Sequence, residues 1–233
     1  MVSPEKSAQP PSKLSMSLVK PRLRGWLHAA SLPLAAVMSG LMFMLAESSQ
    51  HRIAVAVFAA SSILLFTVSA IFHRGTWGPR AYALLRRFDH ANIFLVIAGS
   101  YTPFALLLLP PTTARTLLIV VWTGALIGIA FRVLWLHAPR WVYTPAYVAL
   151  GWAAVIVLPD FWATGQFTVL GLVLLGGLLY TAGGIIYALR RPNPWPRWFG
   201  FHEVFHACTV AAFAAHAVGV CLALLATRGT AIS

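Results

Sequence analysis

Seven apolar stretches, at 26–46, 52–73, 90–109, 114–136, 142–159, 167–189 and 201–226, divide this chain of 233 residues. Each approaches the roughly 20 residues that a helix needs to cross a bilayer. Backbone in hydrocarbon must satisfy its own hydrogen bonds. The sequence therefore reads as an all-α integral membrane protein with seven transmembrane helices. Composition agrees, because only 9% of residues are charged and 59% are hydrophobic, whereas a soluble domain carries roughly a quarter charged residues. Short polar or Pro-rich breaks such as "PPTTAR" (110–115) and "RRPNPWPRWFG" (190–200) separate the stretches, with no repeat and no soluble domain between them. The opening residues lack the apolar core of a signal peptide. The expected division is a disordered basic cytoplasmic tail (1–23), a seven-helix membrane domain (24–228) and a short tail (229–233).

Basic residues orient the spans. The chain has 17 Lys and Arg against 5 acids, a net charge of +12. The cations lie between apolar runs rather than on one clustered face, which speaks for topology signals and contacts to anionic lipid and against nucleic acid. Fourteen of the 17 lie on the N-terminal tail and the loops after spans two, four and six, leaving Arg52, Arg115 and Arg228 on the other side. The positive-inside rule then predicts a cytoplasmic N-terminus and an outside C-terminus, in a multi-pass protein of the cell membrane. Cys208 and Cys221 fall thirteen residues apart on one predicted helix, a rise of roughly 20 Å that is far beyond disulfide reach.

With orientation assigned, the few polar residues can be placed by depth. Span two ends in "SAIFH", with Ser69 and His73; span three begins at "RFDHANIF", with Asp89 and His90; span seven begins at "HEVFH", with His202, Glu203 and His206. All fall in one cytoplasmic-leaflet layer. Ser69 and His73 are four residues apart, as are His202 and His206, so each pair shares a helix face. Ionisable groups at membrane depth are costly and mark function, and three imidazoles with one open position is the standard arrangement for catalytic zinc. The literal H-E-x-x-H also matches a zinc protease, in which Glu203 would be the base. A position one residue from His202 lies about 100° around the helix, so Glu203 could instead pair with the basic loop at 190–197. Asp89 has a plainer reading as the N-cap of span three, and Ser69 as a hydroxyl bonded back to a carbonyl. His28 and His90 read as interfacial or neighbouring groups rather than ligands. His216 reads as a hydrogen bond to a neighbouring helix, and His51 and His137 as loop residues. The "GALIG" at 124–128 reads as close helix packing.

The stretches "SAIFH" (69–73), "RRFDHANIFLVIAGSYTPF" (86–104) and "GFHEVFHA" (200–207), with "RGWLH" (24–28), resemble the hemolysin III family, related to the progestin and adiponectin receptors and more remotely to alkaline ceramidases. The resemblance runs from about residue 24 to 226. It implies a seven-helix fold with zinc (Zn2+) held by His73, His202 and His206, and with Ser69 and Asp89 beside the metal as the catalytic pair. The receptors carry an acidic or amide residue in their first-helix motif with no secure match here, so the resemblance assigns His28 no role. A metal site reached from lipid suggests hydrolysis of a lipid amide or ester. The alternatives are a pore-forming, haemolytic (cytolytic) protein, and a receptor-like or metal-homeostasis protein with a structural zinc. Membrane lipids are the expected partners, and oligomeric state is not encoded in any feature of the sequence.

Overall fold

The computed structural model describes residues 20–230, so the tail assigned to 1–23 lies outside them except for its last four residues, as do residues 231–233. The described chain is helical: α1 (Trp26–Leu45), α2 (Ser49–Arg74), α3 (Pro79–Leu108), α4 (Pro111–Leu134), α5 (Arg140–Gly151), a 3-10 stretch (Ala153–Val157), α6 (Leu158–Ala163), α7 (Phe167–Leu189) and α8 (Phe201–Thr230). Seven spans are long and apolar enough to cross a membrane, with Arg140–Ala163 counting as one. The chain is a multi-pass membrane protein, as the apolar pattern predicts.

Local chemistry explains the helix starts. α3 and α4 each open with a proline in the first turn, where the missing N–H costs nothing and φ is already helical. Ser48 caps α2, its Oγ accepting from His51 N at 3.1 Å, which places His51 inside the first turn rather than in a loop. The start of α3 differs from expectation. It begins at Pro79 rather than near residue 90, because the charged stretch "RAYALLRRFD" continues the helix beyond the apolar part. Asp89 is thus in the helix interior, and its reading as an N-cap is excluded.

The fifth span is interrupted where a side chain enters its hydrogen-bond ladder. Tyr101 of α3 donates its OH to Gly151 O at 2.6 Å and accepts from Ala154 N at 2.9 Å. Satisfying both groups from outside lets the helix break without orphaned backbone polar atoms, the condition for a discontinuous span in lipid.

Packing places three helices inside the others. α2, α3 and α8 are 56%, 61% and 56% buried over their apolar windows, against 17–28% for the remaining spans. Small residues allow the approach. A Cβ on Gly99 of α3 would overlap Ser61 of α2, and one on Gly128 of α4 would overlap the Phe94 ring, which accounts for the "GALIG" stretch as a packing surface. α1 closes the bundle onto α8, and the two helices run parallel. At one end Arg22 N and Leu23 N donate to Arg197 O and Trp198 O at 3.0 and 3.2 Å. At the other, Arg228 Nε and Nη2 donate to Leu45 O and Met44 O at 3.1 and 2.9 Å.

Arg22 and Arg228 lie at opposite ends of the bundle, and from the charge distribution we propose that the face bearing Arg22 is cytoplasmic. Compartment-sensitive reporters fused to each end should show the N-terminal one active only in the cytoplasm and the C-terminal one only outside. Activity of both in the same compartment would contradict the topology.

Candidate metal centre

The three inner helices carry the polar residues of one layer, and their side chains converge. His73 ends α2, while His202 and His206 share a face in the first turns of α8. All three are buried, at 9%, 9% and 2% exposure. One ligand-capable atom from each lies within 4.8 Å of the other two, and His202 Nε2 is 3.2 Å from His73 Nε2. Two imidazole nitrogens on one tetrahedral ion, at about 2.0–2.1 Å each, sit roughly 3.3 Å apart. The His73–His202 pair has the spacing of two ligands on one ion, and His206 completes the group within 4.8 Å. This cluster could hold a metal ion. No cysteine joins it, since Cys208 and Cys221 are free thiols and neither belongs to the group.

Asp89 reaches the same point from α3. Its Oδ2 is 3.6 Å from His73 Nε2 and 3.8 Å from His90 Nδ1. The His90 ring is fixed elsewhere, because Nδ1 donates to Arg86 O at 2.8 Å, and Tyr147 OH donates to His90 O at 3.1 Å. Asp89 is left facing His73. Ser69, one turn before His73 on α2, is 2% exposed and lines the same cavity as Asp89, His202 and His206. His216, deeper on α8, points its Nε2 at Val173 O at 3.3 Å, the helix-to-helix hydrogen bond expected of it. His137 lies in the turn between α4 and α5.

Two hollows meet at the cluster. One is a long cavity lined by Leu65, Ile93, Val96, Phe104, Val173 and Leu174 among others, with Ser69, Asp89, His202 and His206 at its head. The other is a basic recess formed by Lys20, Arg22, Arg24, Trp26 and Arg74, with His73 in its wall. Arg22 and Arg74 lie over the faces of Trp198 and Trp26 at 4.6 and 4.0 Å, so cation–π attraction holds both guanidinium groups in place.

Glu203 is not where the zinc-protease reading needs it. It is 1% exposed and pairs through Oε1 with Arg24 Nε, while Oε2 accepts from Gly200 N at 2.8 Å. Both oxygens are engaged away from the three imidazoles. Its ion-pair partner is Arg24, just before α1, rather than the basic loop at 190–197, and the carboxylate is buried while the guanidinium is 18% exposed.

His28, read from the sequence as an interfacial or neighbouring group rather than a ligand, lies beside the cluster and outside it. Its ring stacks on His206, with centroids 3.8 Å apart and planes 10° from parallel, and both of its nitrogens are enclosed without partners. Contact across the face buttresses the His206 ring. Gly25, at φ 80°, brings the entry of α1 so close to α2 that a Cβ there would sit 2.9 Å from His73 Cβ. The available signal was depth: "RGWLH" opens span one at the level of the other histidines.

Splitting the Arg24–Glu203 pair by Glu203→Ala should lower stability by about 3 kcal/mol, the low end for a divided buried pair because Arg24 borders the open recess. Chemical denaturation of the purified protein checks this, and an unchanged midpoint would show that the pair does not tie α1 to α8.

Comparison with known proteins shows the family. The sequence model of the family described as "Haemolysin-III related" matches residues 16–217. A hemolysin-3 homolog of Bacillus subtilis is 32% identical over 159 residues, covering 68% of this chain and 71% of that protein. Hemolysin-3 of Bacillus cereus is 29% identical over 171 residues, covering 71% and 75%. The adiponectin receptor protein of Drosophila melanogaster is 23% identical over 189 residues, covering 74% of this chain but 43% of the receptor.

Proposed function

The chain belongs to the haemolysin-III-related family, and on that premise we propose that it is a zinc-dependent hydrolase of a lipid amide or ester. The observation that carries this reading is the junction of His73, His202 and His206 with Asp89, Ser69 and the head of a long apolar cavity. Three imidazoles with room for a further ligand is the catalytic zinc arrangement. Zinc held there supplies Lewis acidity, which brings the pKa of a water towards about 7 and polarises a carbonyl.

The chain's own residues do the rest. The cavity walls accept an acyl chain and exclude water from it, which aligns the scissile carbonyl with the cluster. Asp89 Oδ2 accepts the proton of the attacking water and returns it to the leaving nitrogen or oxygen, a general base and then acid. Ser69 Oγ donates to the carbonyl oxygen as charge develops on it. His90 is held through Nδ1, which donates to Arg86 O at 2.8 Å. His28 keeps the His206 ring from turning. Glu203 takes no part in the chemistry, since both of its oxygens are engaged.

Elemental analysis of purified protein should find about one zinc per chain, lost in His73→Ala as in His206→Ala although the two stand on different helices. Asp89→Asn should retain the zinc and lose hydrolysis by about 10²–10⁴-fold, measured on lipid amides and esters with and without chelator. Full zinc in His73→Ala would refute the cross-helix site. Zinc-loaded protein that turns over no lipid amide or ester would leave the metal a structural role instead.

A further inference from the structure

The basic recess beside the cluster gathers more positive charge than the fold neutralises. Lys20, Arg22, Arg24 and Arg74 line it with Trp26 and His73, and no acid is among its lining residues. Glu203 pairs with Arg24. The other three cations have no carboxylate partner among the described residues. The remaining described acids are engaged elsewhere: Glu47 with Arg228, Asp160 with Thr113, and Asp89 facing His73 and His90. Partial burial, and then the neighbouring Arg24 charge, hold the Lys20 ammonium pKa below the ordinary lysine value.

The recess is held in shape. Arg22 and Arg74 stack on Trp198 and Trp26, which fixes each guanidinium through its face and leaves its N–H edge free. Among the described residues, neither side chain has a hydrogen-bond acceptor of its own. The segment that carries Arg22 and Arg24 is clamped to the loop before α8, and Arg24 N donates to Pro21 O at 3.1 Å. A Cβ on Gly25 would lie 3.0 Å from Arg74 Cγ, so the two stretches of chain that bear the cations pass in contact. Lys20, Arg22 and Arg74 are all exposed, within reach of a group arriving from the headgroup layer. His73 is common to recess and cluster. Its ring stands in the recess wall, and its Nε2 lies 3.2 Å from His202 Nε2.

We propose that this recess binds the phosphate group of a lipid headgroup. Guanidinium edges pair with phosphate oxygens through parallel, charge-assisted hydrogen bonds. A phosphate monoester carries about −1.5 to −2 charges near pH 7, which offsets most of what Lys20, Arg22 and Arg74 leave unbalanced. A carboxylate brings a single charge and offsets less. Position argues for a lipid as the source. The recess lies on the face whose charge distribution marks it as cytoplasmic, where the anionic headgroups are. Through His73 it adjoins a cluster that heads a long apolar cavity. Joined to the hydrolase reading, on which this step rests, the substrate is a lipid amide or ester that bears a phosphate. Its chain lies in the cavity, its carbonyl at the cluster and its phosphate in the recess.

Titration of the purified, zinc-loaded protein in a neutral detergent tests this with three probes: dioctanoyl phosphatidic acid, dioctanoylglycerol and inorganic phosphate. The first should bind about tenfold more tightly than the second, the order one charge-assisted hydrogen bond yields. Inorganic phosphate at equal concentration should not displace it. Arg74→Gln should abolish the gain with zinc content unchanged, and Lys20→Gln, whose side chain stacks on no ring, serves if that variant does not fold. Arg190→Gln with Arg191→Gln removes two charges from the exposed loop before α8 and should leave the gain intact. Equal affinities for the two lipids, a gain that survives the recess variants, or one lost equally with Arg190 and Arg191, would overturn the proposal. Inorganic phosphate binding as tightly as phosphatidic acid would overturn the lipid source. Hydrolysis followed in the same samples separates the two readings. A phosphate gain without turnover of either lipid would overturn the hydrolase reading and leave the headgroup site standing.

Discussion

His73 Nε2 and His202 Nε2 stand 3.2 Å apart, although 129 residues separate them in the chain. Imidazole nitrogens buried in an apolar bundle need a donor or a cation, since each unsatisfied polar group there is expensive. Two such nitrogens can share one hydrogen between them, but a third close by cannot join that bond. His206 brings a third ring nitrogen within 4.8 Å of that pair. One cation satisfies all three together. The need explains why the polar residues stand on α2, α3 and α8, the helices most enclosed by the others. A metal binds tightly only where its ligands are held in place, and helices packed on all sides hold them best.

The rest of the bundle serves that convergence. α1 is mostly exposed, at 28% burial over its window, yet it and the two residues before it make three contacts at this end of the bundle. Arg24 neutralises Glu203, Gly25 lets the chain pass close to His73, and His28 stacks on His206. The hydrogen bonds of Arg22 and Leu23 to the loop before α8 fix the same junction. Glu203 thus has both oxygens engaged in holding α8 to the chain before α1 and to its own first turn. A string that matches a zinc protease in sequence is in this fold two members of a cluster that could hold a metal ion, with an ion-paired carboxylate between them. Opposite the cluster, the outer helices α5 and α7 wall the apolar cavity, and the break in the fifth span shapes its far end.

Much of this was legible in the sequence, for physical reasons that differ by feature. Spans were readable because the bilayer imposes a length and an apolar composition on each one. The convergence of His73 with His202 and His206 was readable because alternating direction assigns every residue a depth, and depth is most of a coordinate in a bundle. What escaped was lateral or extended beyond the apolar part. The first turns of α3 are charged, so apolarity alone placed the helix start near residue 90 instead of at Pro79 and left Asp89 as a candidate cap. The broken fifth span depends on Tyr101 arriving from another helix, a contact with no local signature. His28 had the right depth, but only packing reveals that it faces His206. Glu203 could be placed around the helix to within a sector, yet its partner Arg24 is 179 residues away.

X-ray absorption at the zinc edge of the purified, metal-loaded protein reads the central claim most directly, because it reports the atoms bound to the ion. The account requires a first shell of light atoms at about 2.0–2.1 Å that includes three imidazole rings, recognised by their outer-ring scattering. A sulfur neighbour at about 2.3 Å, which would have to come from Cys208 or Cys221, or a shell containing fewer than three imidazoles, would contradict it.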